Sequence, residues 1–193
     1  MSASADLTLS GISIRDQFIA PAQIHALLQC AETRQARGDF APARVGPRAS
    51  AQRREDIRGD FTCWLREPLY PAERSLLDRL EQLRLELNLE ATLGLFELEL
   101  HYARYPPGAG YARHVDQPQG TAQRQVSLVL YLNADWQPAD GGVLRLHETD
   151  DRILDIEPVG GRLVCFLTPG RVHEVLTARR ERLSIGGWFR GRE

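Results

Sequence analysis

The stretch "LFELELHYARY", residues 95–105, alternates large apolar with polar side chains and so puts Phe96, Leu98, Leu100 and Tyr102 on one face of an extended chain. A strand with that pattern buries one side and offers the other. Beyond it, short apolar runs broken by turn residues predict further strands over 125–133, 142–146, 153–156, 162–166, 173–176 and 183–189. Many short strands in succession imply a sandwich or squashed barrel of the jelly-roll, cupin-like kind.

Upstream of residue 95 the period changes to that of a helix. Pro21 suits a first helical turn, and Ile24, Leu27, Leu28 and Ala31 then recur at helical spacing until Gly38. A second helix begins near Pro71 and lines Leu76, Leu77, Leu80, Leu83 and Leu87 along one side, with Arg and Glu on the other. Both apolar faces need something flat, so the fold class is mainly β with α, the N-terminal helices packed on one sheet. Between the helices, "APARVGPRASAQRREDIRGD" holds five arginines, two prolines and almost no large apolar side chain, which predicts a mobile surface loop. The expected organisation is one domain over 1–193, with a helical and loop part over 1–94 and a barrel over 95–190.

Composition narrows the classes. The chain has 193 residues, 42% of them hydrophobic, enough for a sizeable core. Its 24 basic and 26 acidic side chains leave a formal charge of -2, so no global field draws it to nucleic acid or an anionic membrane. No apolar run approaches the ~18 residues that span a bilayer, and "MSASADLTLSG" lacks a basic then apolar leader, so a cytoplasmic monomer is expected. Cys30, Cys63 and Cys165 are odd in number and widely spaced, which reads as reduced thiols rather than a disulfide framework or thiolate zinc site.

The chemistry gathers in three places. In "HVDQPQG", residues 114–120, His114 and Asp116 are two apart and point to the same side of an extended segment, within reach of one cation. Alone, the pair reads more readily as a polar turn. His173, in "LTPGRVHEVL", adds a second histidine on a strand after a Pro-Gly turn. Two histidines and one carboxylate make the facial set that holds ferrous iron and leaves positions open. Nine residues on, Arg182 opens an apolar strand, and a guanidinium buried there needs an anion. A dicarboxylate cosubstrate such as 2-oxoglutarate would supply one, with Ser184 facing the same way. The plainer alternative pairs Arg182 with Glu174 or Glu181.

Read in order, "YPPGAGYARHVDQP", "VLYLNADW", "GGVLRL", "DIEP" and "HEV" followed by "RLSIGGWF" resemble the prolyl hydroxylases of the 2-oxoglutarate and iron-dependent oxygenase superfamily, in the branch that includes the animal oxygen-sensing hydroxylases and bacterial relatives. The similarity covers about residues 55–190, since "DIRGDFTCWL" also resembles the segment before that core. The resemblance implies a double-stranded β-helix, iron on His114, Asp116 and His173, and 2-oxoglutarate on Arg182. It implies Tyr105 beside the cosubstrate, Tyr111 near the iron entrance and Trp188 on the substrate side. It places Arg58 and Asp60 at the entrance, with Asp60 and Arg124 paired as ions. Two departures stand out: Leu130, followed by Tyr131, occupies the place of a tyrosine that helps hold the distal carboxylate, and Gly186 that of a threonine.

The implied reaction is hydroxylation by Fe(II), 2-oxoglutarate and dioxygen, with succinate and carbon dioxide as co-products and ascorbate as reductant. The implied partner is a protein or peptide containing proline, elongation factor Tu being one candidate, with no nucleic acid and no membrane. Three other readings stay open: a hydroxylase of a free amino acid or small peptide, a zinc hydrolase on the same ligands, and a cupin-like module without catalysis. The arginines of the 42–58 loop, Arg44, Arg48, Arg53, Arg54 and Arg58, are expected to meet acidic groups on the target as the loop orders over the site.

Overall fold

The computed structural model describes residues 3–46, 52–116, 123–148 and 152–192. Its frame is two antiparallel sheets packed face to face. The larger has the order β1 (Ile12–Arg15), β9 (Leu163–Leu167), β6 (Arg124–Tyr131), β11 (Arg182–Gly191), β4 (Leu95–Tyr105), β3 (Phe61–Trp64) and β2 (Ala41–Pro42). The smaller runs β5 (Tyr111–His114), β10 (Val172–Val175), β7 (Leu144–His147) and β8 (Ile153–Ile156). This is the double-stranded β-helix, and the strands expected from residue 95 onward all form. The N-terminal part does more than cover the barrel, however: β1, β2 and β3 lie within it and extend the large sheet at both edges.

Period two sorts the side chains of the large sheet into two cores. Leu98, Leu100, Tyr102, Leu128, Leu130, Leu183, Ile185 and Phe189 face the helices, where they meet Leu27 and Ala31 of α2 (Pro21–Ala36) and Leu76, Leu80, Leu83 and Leu87 of α3 (Pro71–Ala91). The opposite face turns to the small sheet, where Tyr131, Val164 and Phe166 pack against Leu144, Leu146 and Ile156. A short α1 (Ala3–Ser10), whose sequence carries no helical stripe, buries Ala3 and Leu7 in the first core.

One ion pair fastens the helices together. Arg34 on α2 donates two hydrogen bonds of 2.7 Å to the Glu73 carboxylate on α3, and Glu73 also caps its helix by accepting from the Tyr70 amide at 3.0 Å. Glu73 is fully buried, so losing its charge strands the guanidinium. Glu73→Gln is expected to cost about 2 kcal/mol of stability, the worth of charge-assisted bonds, in urea unfolding; a change below about 0.5 kcal/mol, the size of an ordinary surface substitution, would show the pair to be idle.

The arginine-rich segment is partly tied down. Arg54 pairs with Asp56 at 2.7 Å, Arg53 pairs with Glu55, and Arg58 donates to both oxygens of Asp60. Three of the five loop arginines thus have a carboxylate within their own segment; Arg48 lies outside the described residues. Cys63 and Cys165 are buried and Cys30 half-buried, all free thiols.

Candidate active site

His114 ends β5 and His173 sits directly opposite on β10, which brings their ring centroids to 4.2 Å. Asp116, two residues past His114, comes within 3.5 Å of His114 Nε2 through Oδ1 and within 3.6 Å of His173 Nε2 through Oδ2. One donor atom from each of the three lies within 4.8 Å of the others. Both imidazoles turn Nδ1 to a backbone carbonyl two residues back, His114 to Ala112 at 2.8 Å and His173 to Arg171 at 3.2 Å. With Nδ1 so engaged, Nε2 is the nitrogen offered to a metal. Burial works against the charge on Asp116, but the two imidazoles beside it outweigh that and hold the carboxyl well below the usual range. The carboxylate is therefore an ionised, hard donor.

A second set of groups lines the same interior. Along β11 the inward positions are Arg182, Ser184, Gly186 and Trp188, because Leu183, Ile185 and Phe189 face the helices. Arg182 is only 2% exposed. Its Nε donates to the Gly142 carbonyl at 2.9 Å and its NH1 lies 3.4 Å from Ser184 Oγ. The rings of Tyr105 and Tyr131 flank it, each 5.0 Å from its Cζ. Gly142 must be glycine here: its φ is +67° and a Cβ would press on Arg182 Cδ at 3.1 Å. Among the described residues no carboxylate of the chain pairs with Arg182. Glu174 goes to His147 at 2.9 Å and Glu181 to Arg104 at 3.1 Å, so the plainer pairing is overturned.

Residues 100–190 match the family model of the 2OG-Fe(II) oxygenase superfamily. The structure is similar to that of a Pseudomonas putida prolyl-4-hydroxylase, with a TM-score of 0.89 and 42% identity over 99% of this chain and 98% of that one. The chain belongs to the prolyl hydroxylase branch of the 2OG-Fe(II) oxygenase superfamily. A prolyl hydroxylase from Trichoplax adhaerens, solved in complex with a hypoxia inducible factor oxygen degradation domain peptide fragment, gives a TM-score of 0.87 at 26% identity over 97% of this chain and 87% of that one. Human Egl nine homolog 1 is 36% identical over 145 residues, 70% of this chain and 33% of its own length, so the chain spans about a third of that relative.

The donor set fits what the superfamily binds. Two imidazole nitrogens and a carboxylate suit ferrous iron. A buried guanidinium that no carboxylate among the described residues pairs with, beside the buried Tyr131 hydroxyl, suits the far carboxylate of 2-oxoglutarate. Burial pushes the Tyr131 phenol upward, so it keeps its proton and can donate.

Two expectations within this oxygenase are corrected. Leu130 does not mark a missing tyrosine: it is buried toward the helices, and Tyr131, one residue on, faces Arg182. Asp60 and Arg124 do not pair. Asp60 is 2% exposed and spends its carboxylate on Arg58 at 2.7 Å. Arg124 instead donates to the Asp116 carbonyl at 2.7 Å and lies 3.5 Å over the Trp188 ring. Tyr111 stacks on His114 with ring centroids 3.5 Å apart, and the Arg58 guanidinium lies over the Tyr111 ring at 4.6 Å, so both residues sit beside His114.

Sequence reasoning passed over three inward groups. Ser127 hydrogen bonds Asp116 and Thr168, and His101 lies buried between Trp64 and Trp188. Burial, then the nearby charge of Arg58, depresses the His101 pKa to about 4, so it is neutral at pH 7. The signal was present: Ser127 shares a strand face with Tyr131, and His101 shares one with Tyr105.

Proposed function

We propose that this chain is a 2-oxoglutarate- and Fe(II)-dependent dioxygenase that hydroxylates a prolyl residue in a protein or peptide. The observation that carries the proposal is the buried Arg182, which no carboxylate among the described residues pairs with, on the same barrel interior as His114, Asp116 and His173. In this reading the three residues hold iron through His114 Nε2, His173 Nε2 and Asp116. Arg182 takes the far carboxylate of 2-oxoglutarate with its two-pronged face, Tyr131 adds a donor, Ser184 steadies the guanidinium, and Tyr105 closes one wall. When bound, iron with 2-oxoglutarate and dioxygen supplies the oxidation that turns a C–H bond into C–OH, yielding succinate and carbon dioxide. The chain's share is to orient these groups and to exclude water with the Tyr131, Val164 and Phe166 layer.

A polypeptide substrate is supported by the approach to the site. A cleft of about 300 Å³ is lined by Pro42, Ala43, Arg58, Phe61, Pro106 and Ala109. Arg58 reaches from there to Tyr111 and so to His114. The Trichoplax relative, which binds a peptide, supports the same choice. A zinc hydrolase would give Arg182 no task, and a non-catalytic module would give the ligand set none.

The test is to incubate iron-loaded protein with 2-oxoglutarate, ascorbate and candidate proteins, elongation factor Tu among them, under air. Mass spectrometry is expected to find one added oxygen on a single prolyl residue. Oxygen added to free proline but to no polypeptide would move the substrate to the small-molecule class.

A further inference from the structure

The ligand set treats its carboxylate differently from its histidines. Each imidazole leans on a backbone carbonyl, whereas the Asp116 carboxylate leans on a side-chain hydroxyl that is itself backed by a second one. Ser127, on β6, is 2% exposed, and Thr168, just past β9, is fully buried. Ser127 Oγ lies 2.7 Å from Asp116 Oδ2, and the two hydroxyl oxygens lie 2.9 Å apart. Proton counting fixes the direction of this relay. An ionised carboxylate only accepts, so Ser127 must donate its single proton to Asp116 and must accept the proton of Thr168. The Asp116 backbone is gripped as well, by Arg124 on its carbonyl. Among the described residues Oδ1 has no comparable donor, only His114 Nε2 at 3.5 Å.

We infer that Ser127 and Thr168 are positioning residues for the metal: their hydroxyl relay occupies Oδ2 of Asp116, so that the carboxylate presents Oδ1 as a single donor. The two oxygens of a carboxylate are otherwise equivalent, and a carboxylate free to turn can engage a cation through both or swing away from it. Ser127 and Thr168 are themselves buried, and they are held by β6 and the end of β9, so the relay costs little to keep in place. This rests on the reading of His114, Asp116 and His173 as metal ligands.

The test is a metal titration without turnover. Cobalt(II) is bound anaerobically to the full chain, the dissociation constant is measured, and the visible absorption reports coordination. Ser127→Ala is expected to weaken binding about 10–100-fold, as loss of an outer partner does, and to change the band intensity. Ser127→Thr, which restores the hydroxyl, is expected to stay within a few-fold of the parent. Thr168→Val keeps the volume and removes the first donor, and is expected to weaken binding about threefold or more, with little added effect in the Ser127→Ala background. Unchanged affinity and spectrum in Ser127→Ala would overturn the inference. Should that variant fail to fold by circular dichroism, unchanged affinity in Thr168→Val overturns it. His173→Ala, run alongside, separates the two readings: if it too binds cobalt as the parent does, the metal site itself is wrong, not only its support.

Discussion

His173→Ala is expected to abolish ferrous binding and, with it, turnover. The imidazole stands on a four-stranded sheet opposite His114, offers Nε2 because Nδ1 faces the Arg171 carbonyl, and lies 3.6 Å from the Asp116 carboxylate. Removing it leaves two ligands, and the loss should exceed the about 10–100-fold that follows removal of an outer partner. The fold should survive, because His173 lines the interior edge rather than filling the apolar layer of Tyr131, Leu146 and Phe166. Circular dichroism should match the parent while iron content after gel filtration and succinate production both fall to background. Full activity at saturating iron would remove His173 from the ligand set.

Arg182→Ala is expected to raise the 2-oxoglutarate requirement by at least about thirtyfold, since losing one partner of a desolvated charge pair costs ~2–5 kcal/mol. Ser184 and the Gly142 carbonyl cannot replace the charge. Arg182→Lys should recover only part of the loss, because an ammonium lacks the planar fork that grips both carboxylate oxygens. Tyr131→Phe removes one donor of that pocket and should cost about tenfold, the worth of one hydrogen bond to a charged group. Isothermal titration of 2-oxoglutarate into metal-loaded protein checks all three. Equal affinity in the parent and Arg182→Ala would place the cosubstrate elsewhere.

Much of this was legible in the sequence, for physical reasons. The alternation over Leu95–Tyr105 fixes a strand and the buried face of Leu100 and Tyr102, although Phe96 near its start is 51% exposed while Leu95 is buried, and the leucines of Pro71–Ala91 fix a helix and its stripe. The cluster of His114, Asp116 and His173 was legible because the first two share a side of one segment while His173 interrupts an apolar strand. Ile12–Arg15 and Phe61–Trp64 were not, since four residues are too few to show a period and their partners lie far along the chain. Leu130 stands one residue from the position beside Arg182, and in a strand a shift of one residue turns the side chain to the opposite face. The Asp60–Arg124 pairing failed for a local reason: Arg58, two residues away on the same side of the chain, reaches Asp60 first.

An anaerobic titration of the protein with ferrous ion and 2-oxoglutarate together, followed by visible absorption, tests the shared site most directly. Chelation of ferrous iron by a 2-oxo acid gives a charge-transfer band, expected here to grow to one equivalent of each and to vanish in His173→Ala. No band at saturating iron and 2-oxoglutarate, or an undiminished band in His173→Ala, would contradict the assignment of His114, Asp116, His173 and Arg182 to one centre.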